Sequence, residues 1–325
     1  MRRRDTLAFI LAFCSAPLAV QGQQAARVYR IVWLSGTPAA PSPVWTEFLT
    51  GMRELGWIEG QNFTVENLRY EGSRERLRAL AAEAVQRKFD LIIGAGTLPT
   101  TAAKDATTTI PILFYYVGDP VGAGFVASFA RPGGNITGLG GLGPGVYAKM
   151  LALLKEAVPK ANRIAMLTDP TFPLHAAFAV DAESAAQSLK VTLQPVALRS
   201  PDEIDGAFAT IARDKPDALL ILGQPFLFGQ GARVARMAIE QRLPAMIPFE
   251  EVARDGVLMS YGSKVVDDAR RLPYYVDRIL KGANPADLPV EQPTRFYLTI
   301  NLKTARAIGL AVPPSILQRA DHVIE

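Results

Sequence analysis

Arg30-Ile31-Val32-Trp33-Leu34-Ser35 has an echo in Arg163-Ile164-Ala165-Met166-Leu167-Thr168. Asp90-Leu91-Ile92-Ile93-Gly94 returns as Asp217-Ala218-Leu219-Leu220-Ile221-Leu222-Gly223, and Ile110-Pro111-Ile112-Leu113 returns as Leu243-Pro244-Ala245-Met246. The partners stay about 130 residues apart, which predicts two lobes with the same order of elements. Two α/β lobes joined edge to edge leave a cleft between them, and ligands of such folds bind in clefts of this kind.

Around each echo the hydrophobic pattern alternates between short buried strands and amphipathic helices. Val28 to Leu34 is a near-continuous apolar run, as expected of a strand covered on both faces. Trp45 to Leu55 has helical spacing (Phe48, Leu49, Met52, Leu55) and stops at Gly56; Phe63 to Leu68 is the next strand. The rhythm continues through Leu77–Gln86, Leu91–Ile93, Pro99–Ala106 and Ile112–Val117, and again from Met150 to Ile247. Strand and helix in alternation mean right-handed crossovers and a parallel sheet, so the fold class is α/β with two doubly wound parallel-sheet lobes.

The glycine-rich stretch Arg131 to Gly145 suits a connection between lobes. Val257 to Gly262 and the helix Leu272 to Leu280 follow the second copy and are expected to cross back to the first lobe, with Phe296 to Ile300 returning to the second. The expected division is therefore 28–140 plus 257–288 for the N-terminal lobe and 141–256 plus 289–325 for the C-terminal lobe.

Residues 1–24 carry a basic head (Arg2 to Arg4), an apolar run from Leu7 to Val20 interrupted by Pro17, and a small, polar joint around Gly22. This pattern predicts a cleaved export signal, and the run is short of the roughly 20 apolar residues of a membrane span. Phe13 stands where a lipoprotein signal places a small residue before Cys14, so plain cleavage is expected over lipidation. The arginine pair lacks the aromatic that usually follows it in a twin-arginine signal, so the general route is expected. Cys14 is the chain's single cysteine, and its removal would leave no thiol for disulfides, metal or covalent catalysis.

Thirty-five Lys and Arg stand against 31 Asp and Glu, with no basic stripe interleaved with aromatics, which argues against nucleic-acid binding. The two histidines, His175 and His322, have no metal-ligand spacing around them, and no G-x-S-x-G elbow is present. No catalytic residue, metal site or cofactor is expected, and the chain is read as a non-enzyme. Gly138-Leu139-Gly140-Gly141-Leu142-Gly143 matches the dinucleotide pattern but does not open the first strand-helix-strand unit; hinge glycines are the better reading.

Three further stretches carry a resemblance. Asp119-Pro120-Val121-Gly122-Ala123-Gly124, Arg131-Pro132-Gly133-Gly134-Asn135-Ile136-Thr137-Gly138, and the tail with Tyr275 to Gly282, Leu288 to Thr294 and Ile300 to Ala305 resemble the substrate-binding proteins of ABC transporters, in the branch that includes aromatic amino-acid binders. The resemblance covers nearly the whole mature chain. It implies a type I periplasmic binding protein with three interlobe crossings, a monomer in the periplasm that captures a small-molecule ligand by hinge closure and hands it to a membrane permease. The loops Thr168 to Pro173 and Gln224 to Phe228 differ from those of the amino-acid binders, so the ligand stays open between an amino acid and a small aromatic or carboxylic compound.

Residues just beyond the strand ends are the candidates for contact with ligand. They are Ser35, Gly36, Gly96, Thr97 and Asp119 in the first lobe, Asp169, Gln224 and Glu250 in the second, and Tyr261 on the crossover. Gly94 to Thr97 precedes a helix whose free amides suit a carboxylate, or forms an ordinary strand-to-helix turn. Asp119 suits an ammonium or hydroxyl and matches the family motif; Asp169 has a turn role as its alternative. Tyr115, Tyr116, Phe226, Phe228, Phe249 and Tyr261 gather at strand ends where rings sandwich a planar ligand, although strict alternation would let only some face the cleft. Tyr116, Phe226 and Tyr261 are taken as the ligand-facing members. A ligand-sensing module that presents its solute to a membrane receptor is the alternative to transport.

Overall fold

The computed structural model describes residues 27–36, 42–143 and 145–325; the predicted export signal at 1–24, Cys14 included, lies outside the described residues. The first lobe is built from β1 (Tyr29–Ser35), α1 (Pro43–Glu54), β2 (Phe63–Arg69), α2 (Arg74–Gln86), β3 (Leu91–Ala95), α3 (Thr97–Ala106), β4 (Ile112–Val117) and β5 (Ile136–Gly140). Helix α1 opens on proline, whose missing N–H is no loss in a first turn, and Ser42 Oγ accepts from the Trp45 amide at 3.2 Å. Strand β1 is central and shows why its sequence is apolar throughout. Ile31 and Trp33 pack on Phe48 and Met52 of α1, while Val32 and Leu34 pack on Leu77, Ala81 and Ala84 of α2.

The second lobe repeats the plan with α4 (Val146–Ala157), β6 (Arg163–Thr168), α5 (Pro173–Leu189), β7 (Thr192–Ala197), α6 (Ile204–Asp214), β8 (Ala218–Ile221), α7 (Gly231–Glu240), β9 (Ala245–Ile247), α8 (Glu250–Arg254) and β10 (Met259–Gly262). The chain then runs through α9 (Val265–Ala269), α10 (Leu272–Leu280), β11 (Tyr297–Asn301), α11 (Leu302–Ile308), α12 (Pro314–Leu317) and β12 (His322–Ile324). The first sheet is parallel in the order β2-β1-β3-β4-β5. The second contains β7-β6-β8-β9-β10 in the same arrangement, extended by β11, antiparallel to β10, and by β12. The duplicated order expected from the sequence echoes is present, and the fold class is α/β with two lobes.

Two expectations need correction. Arg131 to Gly145 is not only a connection, because it holds β5, a strand buried along its whole length. A Cβ on Gly138 would sit 2.1 Å from the Phe114 carbonyl oxygen, so glycine is what lets β5 approach β4. Likewise Val257 to Gly262 does not cross to the first lobe. Its strand β10 pairs with β9 and β11 in the second sheet, where it is the counterpart of β5. Glycines interrupt β5, which makes it look like a linker, whereas β10 follows the last sequence echo of the second copy and so looks like a crossing.

The lobes are joined at three places: after Gly140, between Gly262 and Val265, and between Glu291 and Tyr297. Past the second crossing, α9 and α10 pack on α1 of the first lobe, and Trp57 Nε1 donates to Asp277 Oδ1 at 2.9 Å. The third crossing leaves the edge of β5, where the Gly140 amide donates to the Glu291 carbonyl at 2.7 Å. Among the described residues no helix is long and apolar enough to cross a membrane.

Candidate functional site

Both sheets aim the carboxyl ends of their strands at one cleft, which has an inner and an outer chamber. The inner chamber encloses about 480 Å³. The first lobe lines it with Trp33, Ser35 and Gly36 at the end of β1, Ala95 to Thr97 after β3, Tyr115, Tyr116 and Gly118 from β4, and Ser42 to Trp45 at the start of α1. The second lobe adds Leu142, Tyr147, Phe172, Phe178, Gly223, Phe249, Glu251 and Asp255, and Val265 comes from the second crossing.

Aromatic rings dominate the walls. Trp45, Trp33, Tyr115, Tyr116 and Phe249 form a continuous chain of neighbours from one lobe to the other, with successive centroids 5.6, 6.2, 6.1 and 6.0 Å apart. Tyr147 and Phe178 lie 4.7 Å apart on the second-lobe side. Adjacent Tyr115 and Tyr116 both reach the chamber, against simple alternation. The register of β4 with β5 shifts between Tyr115 and Val117, and Tyr116 adopts a left-handed φ of 60°. Such a bulge re-aims one side chain, and the strain of a bulky residue at positive φ is a mark of functional sites.

The polar inventory is specific. Ser35 Oγ donates to Asn67 Oδ1 at 2.9 Å, and Tyr147 Oη accepts from the Gly223 amide at 3.0 Å. The Tyr115 hydroxyl donates to the Val265 carbonyl, pinning the second crossing to β4. Among the described residues the Tyr116 hydroxyl is buried without a partner; Ser263, near enough to temper its titration, gives its own hydroxyl to Asp268 Oδ2 at 2.7 Å. Burial raises Tyr115 and Tyr116 far above the ordinary phenol range. Glu251 also has a buried oxygen, Oε2, with no partner among the described residues. Its carboxyl is raised by burial, and Glu250 and Asp267 raise it further while Arg254 lowers it. Burial raises Asp255 too, and Asp268, beside the second crossing, is pushed up to about 6 by burial.

The outer chamber, about 570 Å³, is more polar and shares Gly36, Thr97, Phe172 and Gly229 with the inner one. Asp169, Gln224 and Phe226 line it. Asp169 Oδ1 accepts from the Thr171 amide and hydroxyl at 2.8 and 2.6 Å, and Gln224 Nε2 donates to the Leu198 carbonyl at 2.7 Å. Each therefore braces a loop as well as facing the cleft. His175, buried behind them, accepts from the Asp169 amide through Nδ1 at 2.8 Å, which leaves Nε2–H to donate to the Gly223 carbonyl at 3.2 Å. It ties the loop after β6 to the loop after β8. Across the mouth, Arg74 Nη2 of α2 donates to the Thr171 carbonyl and hydroxyl at 3.1 and 2.9 Å.

The structure brings Ser35, Gly36, Gly96, Thr97 and Tyr116 to the inner chamber and Asp169, Gln224 and Phe226 to the outer one. Three expected residues line neither. Asp119 folds back to accept from the Gly122 amide at 2.8 Å, an Asx turn that satisfies the carboxylate locally. Glu250 is the first residue of α8 and pairs with Arg254 at 2.5 Å, so that its neighbour Glu251 takes the cleft side. Tyr261 lies in β10 and stacks on Phe296, centroids 5.8 Å apart, because its strand belongs inside the second sheet. The side chain of Phe228 lies outside the described residues. Trp33, Trp45, Tyr147 and Glu251 were not singled out beforehand. Trp33 at the end of a buried strand carried a legible signal; Trp45 and Tyr147 read only as helix-face residues. Among the described residues, no group of three His, Cys, Asp or Glu side chains gathers as a metal site.

Two parallel-sheet lobes, three crossings and a ligand-sized chamber between the strand ends define a class, the type I periplasmic binding architecture. Within it, the chain belongs to the ABC transporter substrate binding protein family, whose model matches residues 43–324. The chain is 25% identical over 268 residues to a tyrosine-binding protein from Clostridioides difficile (strain R20291), covering 81% of this chain and 75% of that protein. A conserved domain protein from Vibrio cholerae superposes with a TM-score of 0.84 at 24% identity, over 92% of this chain and 99% of that one. An ABC domain in complex with L-Trp from Streptococcus pneumonia does so with a TM-score of 0.83 at 23% identity, over 91% and 99%. Proteins of this family are substrate-binding proteins rather than enzymes.

Proposed function

We propose that the chain is the periplasmic solute-binding component of an ABC importer, which closes its lobes on a small aromatic ligand and delivers it to a membrane permease. The observation that carries this reading is the inner chamber: about 480 Å³, walled by aromatic rings from both lobes and bounded by the second crossing. That volume suits a ligand with one or two rings. Rings stacked from both sides favour the closed arrangement only when a ligand bridges them, so ligand binding and closure are one equilibrium. The family membership and the tyrosine-binding relative support a solute of amino-acid size or a related aromatic compound. Export to the periplasm rests on the leader pattern and on the family.

Calorimetry on the mature protein with aromatic amino acids, aromatic amines and aromatic carboxylates is the direct test, joined to small-angle scattering with and without the tightest binder. Micromolar or tighter binding with a decrease in radius of gyration is expected. Absence of any aromatic binder, with no compaction, would overturn the reading.

A further inference from the structure

The charge on the chamber wall narrows the ligand class, an inference that rests on the binding-protein reading above. Among the described residues no Lys, Arg or His side chain lines the inner chamber, yet Glu251 and Asp255 do. They stand four residues apart across α8 and its end, the spacing that places two side chains on one helix face. Glu250 and Asp267 add negative charge around Glu251, and the arginine of that segment, Arg254, is engaged with Glu250 at 2.5 Å. Glu251 Oε2 and the Tyr116 hydroxyl are both buried without partners among the described residues, and Tyr116 is turned to the chamber by a strained bulge. A buried acceptor with no donor is costly, so these two atoms describe what is missing from the wall.

We propose that the inner chamber takes an aromatic ligand bearing a protonated amine, with Glu251 receiving the ammonium, and that no carboxylate on the ligand is required. The ammonium supplies the donor that Glu251 lacks, and the faces of Tyr116 and Phe249 favour a cation beside them. An added carboxylate would be a third negative group in a space with no basic side chain among the described residues. The backbone amides at the start of α3 can also bond a hydroxyl or carbonyl oxygen.

The test is calorimetry at pH 7 with four ligands that share one ring: 2-phenylethylamine, phenylacetate, 2-phenylethanol and L-phenylalanine. The amine is expected to bind at least about tenfold more tightly than phenylacetate and no more weakly than phenylalanine. Glu251→Gln should cut amine affinity by about tenfold or more while leaving 2-phenylethanol unchanged, a control that also reports an intact chamber. Phenylacetate binding as tightly as the amine, phenylalanine binding more than tenfold more tightly than the amine, or unaltered amine affinity in Glu251→Gln would each overturn the inference and leave the receptor reading standing. If none of the four binds, and no other aromatic compound does, the receptor reading itself fails.

Discussion

At the scale of single residues, Tyr116 and His175 show two ways of paying for a site. Tyr116 holds a left-handed backbone and a buried, unpartnered hydroxyl, both of which cost stability. Tyr116→Phe removes the unsatisfied group, so it should raise the melting temperature of the free protein, by the equivalent of about 1 kcal/mol, while weakening any ligand that bonds the hydroxyl. Thermal denaturation and calorimetry on the same variant separate the two effects. His175 works the other way. Burial lowers its pKa from the ordinary 6.5, and the Nδ1 lone pair holds the Asp169 amide. Below about pH 6.5 the unfolded chain binds a proton that the folded one resists, so this contribution is full above that pH and is lost as pH falls toward the folded pKa. The melting temperature of the wild type should therefore fall more between pH 7.5 and 5 than that of His175→Gln, whose side chain does not titrate.

At the scale of elements, the two fifth strands carry the lesson. Gly138 sits where a Cβ would meet the Phe114 carbonyl oxygen at 2.1 Å, so Gly138→Ala forces β5 away from β4. A loss of about 3 kcal/mol or more is expected, measurable by urea denaturation, at the upper end for overpacking because backbone rather than a side chain must yield. The long apolar strands and amphipathic helices were legible in the sequence because burial on two faces, or on one helical face, writes a period. Glycine erases that period where backbones touch, which is why β5 reads as a linker; β10 reads as a crossing because it follows the last echo of the second copy. The site was legible as positions rather than as roles. Strand ends point to Ser35, Gly96 and Tyr116, which line the inner chamber, but whether a carboxylate faces the cleft or its own loop depends on a rotation of one residue. Asp119 caps a turn and Glu250 yields its place to Glu251 for that reason.

At the scale of the whole molecule, contacts across the mouth set how long the lobes stay together. Arg74 donates to Thr171 from the opposite lobe, an exposed contact worth at most about 1 kcal/mol. Arg74→Ala should leave the melting temperature nearly unchanged and speed ligand release several-fold, as read by stopped-flow fluorescence of the chamber tryptophans. A different consequence follows from the route of the chain. The first five strands are complete at Gly140, but α9 and α10, which complete the first lobe against α1, arrive only after β10 has finished most of the second sheet, and β11 is supplied later still. No single cut in the polypeptide can yield two self-sufficient halves. A protease nick in the connection after Gly140 would leave an N-terminal fragment without α9 and α10, which stay with the second sheet, so that fragment should remain bound to the rest and refold only in its company.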